Sequence, residues 1–242
     1  MTPSGCYTTA RVRRGRVVLA AQHAARLARD ARALGLGEPE AAEIGEVLAR
    51  LAREAFRDGD GIVRLEARSD AAGRLRLVGT SRDLGADPAT WAALSSGVTH
   101  PGPDGPPGIK RSHHPAATAG RDEAKRAQVD EALLFDARGR LVEGARSSPV
   151  VVLADGRTVT PPLALGGVAG LARAIALDSD AGIEEADLDR AALTAAREIV
   201  ALNAVRGARP VVRLDGRAVG DGGPGFAARY LGSIFERAAE LA

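Results

Sequence analysis

The sequence of 242 residues is poor in cysteine and in aromatic residues, and it has no long hydrophobic run. Its single cysteine, Cys6, excludes an internal disulfide framework and is typical of a protein in a reducing cytosol. Charged residues and glycines interrupt the longer apolar stretches before they reach the roughly 18 residues that indicate a membrane-spanning helix. The first residues also lack the apolar core of a secretory signal. We therefore expect a cytoplasmic protein with no membrane partner.

Aromatic residues make up only 3% of the chain, and the formal net charge is only +2. A nucleic-acid-binding protein normally carries a basic stripe or aromatic side chains on which bases stack. The arginines of this chain are instead spread along its length, usually near an acid. These features argue against a nucleic-acid partner. The hydrophobic content of 45% indicates a folded protein rather than a disordered one.

Lysine is almost absent, although basic residues are plentiful. Of the 33 basic residues, 31 are arginine and only two, Lys110 and Lys125, are lysine. An amine can lose its proton near neutral pH and attack a carbonyl group to form a Schiff base, which a guanidinium cannot do. Lys125 lies in a charge-rich helical run that is typical of a solvated surface, whereas Lys110 follows a loop rich in proline and glycine. Lys110 is therefore the candidate catalytic residue.

The spacing of apolar residues predicts an α+β unit over roughly the first 90 residues, followed by further strands and helices. The strands predicted for the chain cover about 5–19 (two short strands), 61–79 (two strands), 132–142 (a hairpin), 149–153 and 209–214, and the helices cover about 23–36, 39–57, 116–128, 171–178, 187–196 and 226–241.

The predicted hairpin, "EALLFDARGRLVEG", ends in a carboxylate at Glu143. Gly139 supplies the positive φ that such turns often need, and the flanking Phe, Leu and Val suit a half-buried strand. Glu143 is either an ordinary polar residue at a strand end or a buried carboxylate, which would need a partner. The local sequence leaves both interpretations open.

The stretch "LALGGVAGLARAIAL" places small residues before a helix. Free backbone N–H groups at such a helix start can bind a phosphate, although glycines before a helix are more often only a turn. The four histidines and the cysteine show no metal-ligand spacing, so we expect no metal. His113 and His114 are interpreted as polar loop residues, with proton transfer as the alternative.

A Schiff-base lysine, a phosphate-binding helix start and a buried carboxylate are the three groups that a protein offers to pyridoxal 5′-phosphate. With these motifs the sequence resembles the class IV, fold type IV pyridoxal-phosphate enzymes, which comprise branched-chain and D-amino-acid aminotransferases and aminodeoxychorismate lyase. The similarity extends over nearly the whole chain in the same order, and "SGCYTTARVRRGRVVL" is closest to the lyase. The resemblance implies an α+β, fold type IV homodimer with two domains in each chain. We therefore expect a small domain over residues 1–96 and a larger domain over residues 97–242, with a barrel-like β core in the larger one.

The resemblance also implies roles for individual residues. Lys110 of "GIK" would carry the cofactor, Arg26 of "QHAARL" would bind its phosphate, and Glu143 would bind the pyridine nitrogen. The remaining cofactor-binding residues that the resemblance implies are Ser148, where the family usually has asparagine, Leu171 and Ala172 of the "TPPLALGGVAGLAR" segment, and Asn203, Ala204 and Val205 of the last phosphate-contacting turn.

Several departures from the family pattern bear on the substrate. Pro115 occupies the position, five residues after the lysine, where the aminotransferases have a tyrosine. Ala204 replaces a hydroxyl residue of the branched-chain enzymes, and the family's longer lead-in is reduced to "MTPSG". We therefore expect a lyase that converts 4-amino-4-deoxychorismate to 4-aminobenzoate and pyruvate, a step of folate biosynthesis. The alternatives are an amino-acid transaminase, which also takes a small amino substrate, and a cofactor-binding homologue without either activity.

Overall fold

The structure is a computed structural model that describes residues 5–240, and its contacts divide the chain into two compact units. Of the described residues, the first unit contains 5–86, 109–113 and 238–240. The second contains residues 87–108 and 114–237. The contacts therefore divide the chain after residue 86, and the domain boundary predicted between residues 96 and 97 stays a prediction.

The first unit is an antiparallel sheet with two helices, as the apolar spacing predicted. Its strand order is β2-β1-β3-β4. The alternating residues of β1 and the apolar stripes of the helices are buried in one core, which contains Leu27, Ile44 and Leu65. The elements of this unit are β1 (Gly5–Arg13), β2 (Arg16–Val17), α1 (Ala20–Ala33), α2 (Ala41–Phe56), β3 (Gly61–Ser69) and β4 (Leu75–Arg82).

The second unit contains a nine-stranded mixed sheet that curls into half-barrels. Its main strand order is β10-β9-β8-β11-β12-β5-β6-β7, and β13 pairs with β12. This confirms the fold type IV prediction. The strands are β5 (Trp91–Thr99), β6 (Glu131–Phe135), β7 (Leu141–Gly144), β8 (Ser148–Val152), β9 (Thr158–Thr160), β10 (Ile183–Glu185), β11 (Glu198–Asn203), β12 (Gly207–Leu214) and β13 (Arg217–Ala218).

Helices cover the curled sheet of the second unit. Ala117 and Ala124 of the first of these helices pack against Leu134 of β6, and Ala172 and Leu231 of two others belong to a core with residues of β8 and β11. The helices are α3 (Pro115–Arg126), α4 (Leu171–Leu177), α5 (Arg190–Thr194) and α6 (Phe226–Glu240), with a 3₁₀ turn at Leu163–Leu165. Within residues 5–240 no helix has both the length and the apolar character needed to cross a bilayer.

The sequence did not predict β5 or β11. β5 contains alanine, two serines and a glycine, which have weak strand propensity, and it is stabilised by parallel pairing with β6 on one side and β12 on the other. β11 follows a helical stretch closely, and the helix predicted over 187–196 is shortened to α5. The lead-in "MTPS" and the end of the predicted last helix at Leu241 lie outside the described residues.

Candidate active site

Lys110 lies in a segment that pairs with β1 inside the first unit. The Tyr7 N–H donates to the Lys110 carbonyl at 3.0 Å, and the Ser112 N–H donates to the Gly5 carbonyl at 2.8 Å. The ammonium Nζ lies 4.9 Å from the centroid of the Tyr7 ring. The side chain is partly buried, whereas Lys125 is exposed on α3. The backbone of Lys110 is therefore fixed in β-type pairing, and its side chain extends beside the Tyr7 ring.

A buried carboxylate of α1, Asp30, holds the backbone of Lys110 from the other direction. Its side chain is completely buried, and Oδ2 accepts a hydrogen bond of 3.1 Å from the Lys110 N–H. The other oxygen accepts two bonds from Arg29, from Nε at 3.0 Å and from Nη2 at 2.7 Å. Sequence reasoning missed Asp30. Its signal is an acid four residues after Arg26, on the buried stripe of the same helix.

Arg26 is a buried guanidinium with a neutral partner. It is 5% exposed, and its Nη2 donates to the Thr8 hydroxyl at 2.7 Å. Its Nε has no hydrogen-bond partner among residues 5–240. Burial lowers the pKa of Arg26, and the carboxylate of Asp30 opposes that change. A buried cation with an unused donor is the kind of group that binds an anion.

His23 completes this network. Since the Thr8 hydroxyl accepts from Arg26, it can donate its own proton to His23 Nδ1, which lies 2.6 Å away. Burial lowers the pKa of His23 well below its ordinary value, and the charges of Arg26 and Lys110 lower it further. His23 is therefore neutral at physiological pH. The two cations that the sequence selected thus act on one buried imidazole in the first unit.

Glu143 is the next-to-last residue of β7 in the second unit, and the hairpin forms as predicted. Gly139 has φ of 77° and its N–H closes the turn on the Asp136 carbonyl at 3.0 Å. Glu143 is 6% exposed, so the interpretation as a solvated strand-end residue is wrong. Its Oε2 accepts a hydrogen bond of 2.9 Å from the Val168 N–H.

Two histidines face the other oxygen of Glu143. Nε2 of His100 and Nε2 of His114 lie 3.6 and 3.7 Å from Oε1. His100 is buried, and its ring lies 5.1 Å from that of His114, centroid to centroid. Among residues 5–240 no lysine or arginine is paired with this carboxylate. Sequence reasoning missed His100, because it lies in the proline- and glycine-rich loop far from Glu143 in the chain.

The turn after Glu143 packs against a second buried carboxylate, Glu131, the first residue of β6. Its oxygens accept hydrogen bonds from the Ser147 hydroxyl at 2.5 Å and from the Ala132 N–H at 2.9 Å. Burial raises the pKa of Glu131 to about 7. A Cβ at Gly144 would lie 2.5 Å from Ser147 Oγ and 2.8 Å from Glu131 Oε2, so this position has no room for a side chain. This packing fixes the residue that directly follows Glu143.

The predicted phosphate-binding residues Leu171 and Ala172 form the first turn of α4, where backbone N–H groups have no acceptor within the helix. Gly170 precedes them, and a Cβ there would lie 3.0 Å from Ser148 Oγ. The structure therefore brings Ser148 to the start of α4. The same loop supplies Val168, whose N–H binds Glu143.

The last predicted segment, Asn203 to Val205, forms the turn between β11 and β12. Asn203 Oδ1 accepts hydrogen bonds from the Val205 N–H at 3.1 Å and from the Arg206 N–H at 2.8 Å. The N–H of Val205 is thus engaged within the turn itself, while that of Ala204 has no such bond to Asn203. His113 is exposed in the first unit, which agrees with its interpretation as a polar loop residue.

Residues 5–214 match the family described as amino-transferase class IV. Because the match covers most of the chain, this protein belongs to the amino-transferase class IV family, and the predicted family is confirmed. This membership also confirms the expectation of an enzyme of that family. Among curated proteins, no match to the sequence is significant.

Solved structures of aminotransferases share the fold. A branched-chain aminotransferase from Thermoproteus uzoniensis with norvaline is 22% identical and has a TM-score of 0.83, with 97% of this chain and 84% of that chain covered. A proposed 4-amino-4-deoxychorismate lyase from Legionella pneumophila is 18% identical with a TM-score of 0.85, covering 98% and 91%. A hypothetical aminotransferase from Mycobacterium tuberculosis in a PLP-bound form is 20% identical with a TM-score of 0.81, covering 97% and 88%. The expectation of pyridoxal phosphate is thus confirmed at the level of the family.

Proposed function

We propose that the chain binds pyridoxal 5′-phosphate and acts as an aminodeoxychorismate lyase-like enzyme. In this proposal Lys110 carries the cofactor and is the catalytic base, Arg26 binds the phosphate, and Glu143 binds the ring nitrogen. The other residues assigned to the cofactor are Ser148, Leu171, Ala172, Asn203, Ala204 and Val205, which would surround the phosphate and its approach.

The observation that carries the proposal is the state of Glu143. It is a buried carboxylate whose neighbours are an amide N–H and two imidazoles, with no lysine or arginine paired to it among the described residues. A buried carboxylate normally requires a cationic partner, and a protonated pyridine nitrogen is such a partner. Arg26 fits the same cofactor, because its buried Nε has no acceptor in residues 5–240 and a phosphate oxygen would supply one.

When bound, the cofactor supplies an electron sink for the carbon that bears the substrate amine. Glu143 would keep the ring nitrogen protonated, and Arg26 would fix the phosphate. Lys110 Nζ would remove the proton from the ring carbon that bears the amine. The carbon–oxygen bond between the ring of 4-amino-4-deoxychorismate and its enolpyruvyl group would break as the ring becomes aromatic, and the released enolpyruvate would take up a proton to give pyruvate. The pairing of Lys110 with Tyr7 and Asp30 orients the lysine backbone for this proton transfer.

The lyase is favoured over the transaminase by two features of the chain. Pro115, in the position of the aminotransferase tyrosine, is the first residue of α3 and has no hydroxyl group to offer. The segment Gly5 to Val12, which resembles the lyase, forms β1 and carries Tyr7 beside Lys110. The transaminase is the alternative activity, because branched-chain aminotransferases are prominent among the similar structures.

The cofactor assignment is tested with borohydride. Reduction of the protein with bound pyridoxal phosphate should attach the cofactor to Lys110, and peptide mass spectrometry locates the adduct. Lys125→Arg is the matched control, since that lysine is exposed, and it should leave the adduct unchanged. An adduct on Lys125, or none on Lys110, would reject the assignment.

The reaction is tested with two assays on the same preparation. Supplied with 4-amino-4-deoxychorismate alone, the protein should release pyruvate and fluorescent 4-aminobenzoate, because a lyase needs no second substrate. Conversion of the cofactor to its amine form by an ordinary amino acid, with no aminobenzoate formed, would instead identify a transaminase. Inactivity in both assays despite the Lys110 adduct would favour the homologue without either activity. Size-exclusion chromatography tests the proposed homodimer.

A further inference from the structure

We propose that His100 and His114 are positioning residues that orient the Glu143 carboxylate through two neutral imidazole N–H groups. The proposal rests on the proposed role of Glu143 at the cofactor ring nitrogen. It begins from the placement of both Nε2 atoms within 3.7 Å of Glu143 Oε1. These distances exceed a direct hydrogen bond, so the two groups act on the carboxylate through their N–H dipoles.

The protonation state of each ring follows from its other nitrogen. The Gly102 N–H donates to His100 Nδ1 at 3.1 Å, and the Ala117 N–H donates to His114 Nδ1, also at 3.1 Å. A backbone N–H is always a donor, so both Nδ1 atoms must be acceptors without a proton. The single proton of each neutral ring is therefore on Nε2, the atom that faces Glu143. Sequence spacing could not show this, because the deciding donors are backbone groups.

The same argument excludes a metal at this cluster. The ligand atoms of His100, His114 and Glu143 all lie within 4.8 Å of one another, which would suit a divalent ion. A metal requires an Nε2 lone pair, and the ring proton would then move to Nδ1. There it would face the N–H of Gly102 or Ala117, donor against donor. The backbone around the two rings therefore selects hydrogen-bond donation over metal binding.

Close packing holds these donors in place. A Cβ at Gly166, where φ is 102°, would lie 2.5 Å from the Gly102 carbonyl carbon, so the turn that binds His100 is packed directly against the loop that leads to Val168. His114 is the N-cap residue of α3, and its bond from Ala117 fixes both the ring and the start of the helix. Neither imidazole can rotate without losing its backbone partner.

Neutral donors serve this carboxylate better than a cation would. Three N–H groups, from Val168, His100 and His114, are directed at the two carboxylate oxygens of Glu143. They carry no net charge, so they do not neutralise the carboxylate. The full negative charge remains to hold a proton on the nitrogen that the proposed function places beside it.

The first test measures the tautomers directly. Long-range proton–nitrogen NMR of the histidine-labelled protein without cofactor should show Nε2–H, with unprotonated Nδ1, for His100 and His114. Only four histidines are present, and single substitutions assign the signals. A proton on Nδ1 at either ring, or a shift of both rings on addition of Zn²⁺ alone, would overturn the proposal.

The second test distinguishes the effect of the imidazole N–H groups of His100 and His114 from the effect of their packing. His100→Leu and His100→Gln both lose the bond from Gly102, but only glutamine returns an N–H near the position of Nε2, and the same pair of changes applies at His114. With ¹⁵N-labelled pyridoxal phosphate bound, the ring-nitrogen shift should report a protonated ring in the wild type and in both glutamine variants. The double leucine variant should lose part of this protonation and lower turnover by less than about tenfold, because N–H dipoles beyond hydrogen-bond distance contribute less than a direct bond to a charged group. His113→Leu, at the exposed neighbour, is the matched control.

The outcomes distinguish the proposal from the function on which it rests. If the wild-type ring is unprotonated, or Glu143→Gln leaves it unchanged, the role of Glu143 fails and the positioning role falls with it. If Glu143→Gln removes the ring proton but the leucine variants match the wild type, only the positioning role is overturned. Loss in the leucine variants with recovery in the glutamine variants supports both.

Discussion

Two buried charges, Arg26 in the first unit and Glu143 in the second, are surrounded in different ways. Arg26 has one neutral partner, the Thr8 hydroxyl, and an Nε without a partner in residues 5–240. Glu143 has a hydrogen bond from a backbone N–H and two imidazoles aimed at its other oxygen. The cation is thus left partly unsatisfied, whereas the anion is provided with several neutral donors.

The difference indicates what each group requires from a ligand. An unsatisfied buried guanidinium gains most from an anion that brings its own charge. A buried carboxylate with only neutral donors is already fixed in place and still lacks a cationic partner. The substitutions below change one side of this comparison at a time.

The most severe change on the Glu143 side is Gly144→Ala. The added Cβ would lie 2.5 Å from Ser147 Oγ and 2.8 Å from Glu131 Oε2, so it separates a buried hydrogen-bonded pair. We expect the free energy of unfolding to fall by about 4 kcal/mol, from overpacking and the lost bond together. Urea unfolding measures this. Gly232→Ala in α6, which meets nothing within 4 Å, is the control and should be neutral or slightly stabilising. A loss below 1 kcal/mol at Gly144 would contradict the tight turn.

The next effect is a pH dependence caused by Glu131. Burial raises its pKa from 4.5 to about 7, so between these pH values the folded state binds more protons than the unfolded state. This group therefore contributes most stability below pH 4.5, and the contribution falls as the pH rises to about 7, by about 3 kcal/mol in all. Glu131→Gln should remove this slope, so that its stability relative to the wild type increases from pH 5 to pH 8.

Glu54→Gln, at an exposed position of α2, is the control for the pH series. Its unfolding free energy should follow that of the wild type at each pH. Parallel curves for Glu131→Gln and the wild type would show that the Glu131 carboxylate titrates alike in the folded and unfolded states.

The sequence predicted best those features that depend on a local pattern or on the resemblance to a family. Lys110 was selected by the scarcity of lysine, and Glu143 by its place at the end of a recognisable hairpin. Sequence reasoning did not identify His100 or Asp30, because the partner of each lies far away in the chain. His100 faces Glu143, and Asp30 accepts a hydrogen bond from the Lys110 N–H, 80 residues later. The strand β5 was not predicted for a related reason, since its small residues form a strand only by pairing with two neighbouring strands of the sheet.

On the cationic side, Asp30→Ala tests the support of Lys110. The change leaves the Lys110 N–H without its acceptor. It also removes the carboxylate that opposes the lowering of the Arg26 pKa by burial. We expect a loss of about 2 kcal/mol in unfolding free energy. Asp30→Asn retains an acceptor oxygen and should lose about half as much. Equal losses in the two variants would mean that packing, and not hydrogen bonding to Lys110, is the function of this side chain.

The smallest change in stability is expected for Arg26→Met, which removes the buried cation that we compare with Glu143. Methionine fills a similar volume without a charge, and the Thr8 hydroxyl can still donate to His23, so the free energy of unfolding without cofactor should change by no more than about 1 kcal/mol. The affinity for pyridoxal phosphate should nevertheless fall about tenfold or more, because a charge-assisted bond to the phosphate is lost. Equilibrium dialysis of the cofactor measures the second effect.

Arg29→Met is the matched control, since that arginine is half exposed and pairs with Asp30, and its cofactor affinity should stay near that of the wild type. Unchanged affinity in Arg26→Met would show that the unsatisfied guanidinium does not bind the phosphate, and a loss of several kcal/mol without cofactor would show that the charge is structural.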